Sequence, residues 1–286
     1  MTDCLVIGSG PAGISAALTL KANGISFRLV GLKKVSVKVE KAEKISNYPG
    51  LFSVSGAEFK DALLSQLAGE NIEVEEEHVT GVYAMNGRFV TLTESGKSYE
   101  SKTVILCVGV ETAGKIEGEE AFVGRGVSYC ATCDGALYKG KTIAVVATSA
   151  HFEGEVEYLS NLAEKTYFMP IYKNPRTDFK NTEILRRLPV RILGGLKVNA
   201  LGFQDGDLPV DGVFFLKESV PTSALVGGLK TENGHVEIAR DGSTNLLGLF
   251  AAGDCTGRPY QYAKAVGEGN VAAHSVTAYL RERKEK

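Results

Sequence analysis

No apolar run in this 286-residue chain approaches the roughly 18 residues that a membrane span needs. The first apolar stretch, residues 4–7, is short and leads straight into glycines. The N-terminus also lacks the basic, apolar and small-residue order of a secretory leader. These absences point to a cytoplasmic protein that does not cross a membrane. An excess of one charge is missing as well: 32 basic against 34 acidic residues leave a net charge of −2, so nothing draws the chain to nucleic acid. The four histidines (His78, His151, His235 and His274) have no ligand spacing, and there is a single Cys-x-x-Cys. A structural zinc site needs four ligands, which this set does not supply. No short-period repeat suggests a solenoid.

What is present fits a two-core soluble protein. A chain of this length exceeds one ordinary core of about 100–150 residues. Hydrophobic residues make up 44% and charged residues 23%, and the 33 glycines favour tight turns and close ligand approach. Of the five cysteines, Cys4 and Cys107 lie in apolar runs and Cys255 follows a Gly-Asp pair; these read as inert buried thiols. Cys130 and Cys133 alone share the C-x-x-C spacing. In a reducing compartment such a pair is catalytic or metal-binding more often than structural.

The pattern along the chain is α/β. Residues 3–7 read as a buried strand, 14–23 as a helix closed by Gly24, and 27–30 as the next strand, a βαβ opening. Residues 72–77, 79–85, 88–93 and 97–100 alternate like antiparallel strands, with turns at Asn86-Gly87 and Ser95-Gly96. A second apolar strand, 103–108, runs into Gly109. Another βαβ unit follows at 142–146, 153–163 and 166–169, then short alternating segments over 191–215. Residues 249–252 form a strand ending in Gly253-Asp254, and a helix covers about 262–283. The duplication suggests two nucleotide-binding-like domains, the second inserted in the first.

Gly8, Gly10 and Gly13, between the first strand and helix, carry a mechanical signature. The first makes the tight turn, the second lets a pyrophosphate reach the backbone, and the third lets helix and strand pack closely with the helix N-terminus facing the phosphates. The alternative is a glycine-rich turn without a ligand. Where an acid normally takes the ribose after the second strand, the chain has Gly31.

GSGPAG at the start, Asn47-Tyr48-Pro49-Gly50, Cys130-Ala131-Thr132-Cys133-Asp134-Gly135 and Gly253-Asp254 occur in that order. Together they resemble the low-molecular-weight thioredoxin reductase family over almost the whole chain. The resemblance implies two Rossmann-like, three-layer ββα domains: an FAD-binding domain of residues 1–112 and 225–286, and an inserted redox-dithiol domain of residues 113–224. It implies FAD on Gly8, Gly10, Pro11, Ala12 and Gly13, with Gly109, Gly253 and Asp254 along the cofactor. Asn47, Tyr260, Gln261 and Tyr262 would reach the flavin. Cys133 would exchange with the flavin, Cys130 would attack the disulfide of thioredoxin, and Asp134 would move the proton. A turn cap at Asp254 and a plain surface aspartate at Asp134 are the alternatives. A homodimer is also implied.

The chain departs from that family at its second glycine-rich turn, which here reads Ala147-Thr148-Ser149-Ala150-His151-Phe152. The three small-residue positions hold Ala147, Ser149 and Phe152, and Phe152 should push the helix out or fill the phosphate pocket. After the next strand, where the family carries a basic cluster for the 2′-phosphate, the chain has Pro170, Ile171 and Tyr172. The expectation is a degenerate NADPH site and no bound NADPH. This combination resembles the ferredoxin-dependent flavin thioredoxin reductases, and a flavin can take single electrons and deliver a pair. The alternatives are an NADPH-dependent thioredoxin reductase with a divergent site, a flavin-linked disulfide oxidoreductase with another donor or target, and a non-enzymatic flavin binder. Six basic residues from 173 to 191 against two acidic ones (Asp178 and Glu183) read either as an ordinary solvated helix face or as a docking surface for ferredoxin, typically an acidic protein, with Lys139 and Lys141 as a competing surface.

Overall fold

The chain divides into two units, Met1–Val110 with Pro221–Lys286, and Glu111–Val220. The computed structural model describes residues 1–283 apart from 36, 41, 111–115, 130 and 218–221; the side chains of residues 37, 38, 120 and 133 also lie outside the description. The first unit begins with β1 (Thr2–Ile7), α1 (Pro11–Ala22), β2 (Phe27–Gly31), α2 (Val37–Glu40), α3 (Gly56–Gly69), β3 (Val74–Glu76), β4 (Val79–Met85), β5 (Arg88–Thr93) and β6 (Ser98–Leu106). The second unit holds β7 (Val127–Ser128), α4 (Ala131–Asp134), β8 (Thr142–Ala147), α5 (Glu153–Leu162), β9 (Lys165–Pro170), β10 (Thr182–Ile184), β11 (Arg191–Gly194), β12 (Val198–Phe203), β13 (Gly206–Pro209) and β14 (Gly212–Leu216). The chain then returns to the first unit with α6 (Thr222–Leu225), β15 (Thr231–Glu232), β16 (His235–Val236), β17 (Leu249–Ala251) and α7 (Tyr262–Glu282).

The first unit is built on a parallel sheet whose strands β1 and β17 carry buried apolar residues on both faces, as a doubly covered sheet requires. β1 pairs in parallel with β2 and β6, β2 with β3, and β6 with β17. Alternation along β1 sends Cys4 and Val6 into one cluster with Ile14, Leu20, Phe59 and the α7 residues Ala272 and Val276. Leu5 and Ile7 point the other way, to Val79, Val82, Phe89 and Leu225. The result is three layers: helices, parallel sheet and an antiparallel meander. Each fully buried Leu or Ile of this kind contributes about 1.5–3 kcal/mol.

Two details differ from the sequence-based expectation. Residues 72–77 do not join the meander; β3 pairs in parallel with β2, Leu29 opposite Val74. The Ile72 N–H bonds back to the Leu67 carbonyl at 2.9 Å at the end of α3, which delivers the strand to the outer edge of the sheet as a crossover. The expected strands at 97–100 and 103–108 are one long strand, β6, whose start pairs with β5 and whose later part pairs with β1. Ser101 and Thr103 are buried within it, and these polar residues hide the continuity.

The second unit repeats the plan. β10, β9, β8, β14 and β7 form a parallel sheet in that order. Its apolar residues face α5 on one side, with Ile143, Val145, Val156, Leu159 and Phe168 in contact, and the antiparallel sheet β11–β12–β13 on the other. Both units are therefore Rossmann-like, and the second is inserted in the first. No helix among the described residues is long and apolar enough to cross a membrane.

Candidate functional site

The turn from β1 to α1 is made by backbone alone. Gly8 has φ +108°, and a Cβ there would fall 2.2 Å from the Cys107 carbonyl oxygen. A Cβ on Gly13 would fall 1.7 Å from the Gly8 carbonyl oxygen, so this position admits glycine only. Gly10 is the N-cap of α1 and supplies no side-chain cap, and Pro11 opens the helix. The first-turn amides of α1, with Ala12 and Gly13 buried beside them, form the kind of N-terminus that takes an anion. Gly31 has a local reason of its own: a Cβ would lie 2.7 Å from the Ser9 nitrogen, and the Ser9 hydroxyl donates to the Leu32 carbonyl at 2.6 Å. Ser9 thus packs against β2 at Gly31, the position where an acid normally takes the ribose.

The C-terminal motif of the first unit comes to the same turn. Gly253 has φ +88°, and its Cβ would fall 2.9 Å from that of Ala12. Asp254 opens a 3-10 turn, Asp254–Thr256. Helix α7 packs along α1 through small residues; a Cβ on Gly269 would lie 2.1 Å from the Ala12 carbonyl oxygen. At the start of α7, the Asn47 amide donates to Gln261 Oε1 at 2.6 Å. Tyr262 packs on Phe59, ring centroids 5.4 Å apart, and burial followed by the Asp254 charge pushes its hydroxyl pKa up. Tyr260 is partly exposed and its hydroxyl lies 2.6 Å from His235 Nε2, beside a groove of about 490 Å³ that Thr256 and Gly257 line with the β15–β16 hairpin. Gly109 has φ +71° and open space around its Cβ position. All the predicted cofactor residues fall in this one unit.

Two residues that sequence reasoning passed over hold this loop in place. Lys264 Nζ donates to the carbonyls of Gly253 at 2.8 Å and Gly257 at 2.7 Å, and to Thr256 Oγ1 at 2.8 Å. Glu268 Oε2 accepts from the Gly253 N–H at 2.8 Å and from Thr256 Oγ1 at 2.7 Å, and pairs with Lys264 at 3.2 Å. Their i,i+4 spacing on a helix just after Gly-Asp is the signal that could have found them.

The equivalent turn in the second unit is built differently. Between β8 and α5 a 3-10 turn intervenes at Ala150–Phe152, and Ser149 caps it by accepting from the His151 N–H at 3.2 Å. Phe152 is 4% exposed and belongs to the core with Ala147, Val156 and Leu159. The first turn of α5 carries Glu153 and Glu155. Glu153 Oε1 accepts from the Tyr172 hydroxyl and the Arg176 N–H, both at 2.9 Å, and Arg176 grips Glu157 at 2.8 and 3.0 Å. The segment after β9 is thereby tied to the start of α5.

Of the dithiol, Cys130 lies outside the described residues, as does the side chain of Cys133, whose backbone is in α4. Asp134 ends α4 and accepts from the Ser128 hydroxyl at 2.7 Å. The other three cysteines are buried and free; burial pushes the thiols of Cys4 and Cys255 up to about 12 and that of Cys107 well above its ordinary value. No group of His, Cys, Asp and Glu that could hold a metal occurs among the described residues. Three of the six basic residues read in 173–191 are paired in space: Arg176 with Glu157 and Asp178, Arg187 with Asp205, and Arg191 with Asp207.

Against known proteins, the profile of the pyridine nucleotide-disulphide oxidoreductases matches residues 2–147. A thioredoxin reductase of Listeria innocua is 31% identical over 99% of this chain and 95% of its own length. Among solved structures, a ferredoxin-flavin thioredoxin reductase from Clostridium acetobutylicum is 42% identical with a TM-score of 0.88, covering 98% of both chains. A thioredoxin reductase from Gloeobacter violaceus is 27% identical with a TM-score of 0.72, covering 99% of this chain and 95% of that one. The chain belongs to the pyridine nucleotide-disulphide oxidoreductase family, and within it to the thioredoxin reductases. Membership makes it an oxidoreductase and implies FAD. The residues present fit that group: the turn at Gly8 to Gly13 leaves no room for a Cβ at Gly8 or Gly13, and the N-terminus of α1 carries no side-chain cap.

Proposed function

We propose that the chain is a ferredoxin-dependent flavin thioredoxin reductase, working in the cytoplasm as a homodimer. The observation that carries this reading is the contrast between its two strand-to-helix turns. The first is backbone only. The second has its packing position filled by Phe152 and its helix start occupied by Glu153 with Tyr172 and Arg176. A dinucleotide pyrophosphate meets open amides at the first and carboxylates at the second, so FAD binds and NADPH does not. The 42% identity to the clostridial ferredoxin-flavin protein supports ferredoxin as the donor.

Gly8, Gly10, Pro11, Ala12 and Gly13 would hold the pyrophosphate, with Gly253 and Asp254 along the ribitol. Gly109, Asn47, Tyr260, Gln261 and Tyr262 would frame the ring. When bound, FAD takes electrons one at a time and releases them as a pair. The Cys130 thiolate attacks one sulfur of the thioredoxin disulfide, breaking that bond and forming a mixed disulfide. The Cys133 thiolate then attacks Cys130, releasing reduced thioredoxin and leaving a Cys130–Cys133 disulfide. Asp134, held by Ser128, supplies a proton to the departing thiolate. Over the full cycle two reduced ferredoxins and two protons convert one thioredoxin disulfide to its dithiol. Exposed Lys139 and Lys141, just past the dithiol, offer the acidic donor a docking surface.

The test is anaerobic mixing with NADPH, NADH or reduced ferredoxin in turn, with thioredoxin as acceptor. Flavin bleaching and thioredoxin reduction with ferredoxin alone are expected. Rapid bleaching by NADPH would return the chain to the NADPH-dependent reading.

A further inference from the structure

In the second unit two opposite charges are withdrawn from water together. The side chains of Lys217, just after β14, and Glu119 are 7% and 4% exposed, and Lys217 Nζ contacts Glu119 Oε1 directly. Removing both ions from water costs several kcal/mol each, and a buried pair of this kind is often no more stabilising than apolar residues of the same size. Stability is therefore a weak reason for its presence, and what else the pair touches is informative.

It touches Tyr129. The Tyr129 hydroxyl donates to Glu119 Oε1 at 2.7 Å, while Glu119 Oε2 accepts from the Ile116 N–H at 3.4 Å. Lys217 Nζ lies 4.9 Å from the Tyr129 ring centroid and 5.2 Å from that of Phe215, a cation–π arrangement on both rings. Tyr129 immediately precedes Cys130 in the chain. Just before it, β7 is paired to β14 with Val127 opposite Val213 and Ser128 opposite Phe214. The strand holds the chain as far as Ser128, and the buried pair holds the next residue by its ring and its hydroxyl.

We propose that Lys217 and Glu119 are positioning residues for the dithiol, acting through Tyr129. The inference rests on the dithiol assignment made above. Glu119 fixes the Tyr129 hydroxyl, and Lys217 fixes Glu119 and packs on the Tyr129 ring. The residue before Cys130 is thereby held by a pair of residues 98 positions apart in the chain. The balance between the Cys130–Cys133 disulfide and the two free thiols depends on that geometry, because a change in how the two sulfurs are presented changes the strain in the bond between them.

The experiment uses the FAD-loaded protein and reads the equilibrium in which two glutathione thiols reduce the Cys130–Cys133 disulfide and yield glutathione disulfide. It is measured by thiol trapping, with thermal unfolding followed in parallel. Tyr129→Phe removes one hydroxyl and keeps the ring. Lys217→Met strands a buried carboxylate and is expected to unfold readily, so Glu119→Gln with Lys217→Met removes both charges and keeps the test usable. Tyr129→Phe and the paired variant are both expected to shift the glutathione equilibrium constant by about tenfold, which for this two-electron couple is about 30 mV. A purely structural pair would move the unfolding temperature and leave that constant at its wild-type value in both variants, and this result overturns the proposal while the dithiol reading stands. A wild-type protein that forms no Cys130–Cys133 disulfide overturns both.

Discussion

The two units share a plan and differ in one turn. Each places a parallel sheet between a helical face and an antiparallel sheet or meander. In the first, α1 begins at Pro11, with three residues between it and β1, over glycines that exclude a Cβ. In the second, α5 begins at Glu153, with five residues between it and β8, after a 3-10 turn whose last residue, Phe152, is in the core. The layers tolerate either turn because they are held by apolar faces, whereas the ligand chemistry depends on which backbone amides the turn leaves open. Both halves share the layered plan, and on the reading proposed above only the first turn takes a dinucleotide.

The largest effect expected concerns the dithiol of the second unit. Cys130→Ser or Cys133→Ser should abolish thioredoxin reduction while the flavin absorbance of the purified protein is unchanged. Turnover by either variant would remove the dithiol from the reaction. Cys133→Ser should also eliminate any thiolate-to-flavin absorbance, and Cys130→Ser should keep it.

Next come the glycines of the first turn. Gly10→Val should block the pyrophosphate path, and Gly13→Ala should force its Cβ into the Gly8 carbonyl oxygen. Both should purify without FAD, and Gly13→Ala should lose about 1–3 kcal/mol in denaturant unfolding. At the corresponding second turn, Ser149→Ala removes only a cap, worth about 1 kcal/mol, and should leave FAD content intact. A full complement of FAD in Gly10→Val would mean that this turn is not the cofactor site.

Phe152→Ala separates filling from binding. Truncating a buried ring should cost about 3–5 kcal/mol in chemical unfolding. It should not create NADPH binding, because Glu153 still occupies the helix start with its bonds to Tyr172 and Arg176. Tight NADPH binding by this variant would show that the ring alone had closed the site.

The smallest effect is on pH dependence. Hydrogen bonding and then the charge of Arg176 hold Glu157 below the ordinary carboxylate range. A depressed folded pKa gives stability that is present above the unfolded value and lost as pH falls through the folded one. Wild-type and Glu157→Gln melting temperatures should therefore differ slightly at pH 6 to 7 and converge toward pH 3. A constant offset at every pH would show that the pair contributes through packing.

Much of the frame was legible because it is local. The apolar run of β1, the glycines after it and the recurrence at β8–α5–β9 all lie within short windows. The two dipeptide turns marked the meander correctly. What the sequence hid is long-range. β3 joins the far edge of the sheet because α3 carries it there. Three of the six basic residues of 173–191 find acids that lie outside the stretch, Glu157, Asp205 and Asp207. The Lys217–Glu119 pair joins residues 98 positions apart, which no window reveals.

The contrast between the two turns is tested most directly by calorimetric titration of the FAD-loaded protein with NADPH under anaerobic conditions. No binding heat at NADPH concentrations up to the millimolar range is the predicted result. Saturable binding with a micromolar dissociation constant would contradict it, since the second turn would then hold a dinucleotide despite Ser149, Phe152 and Glu153.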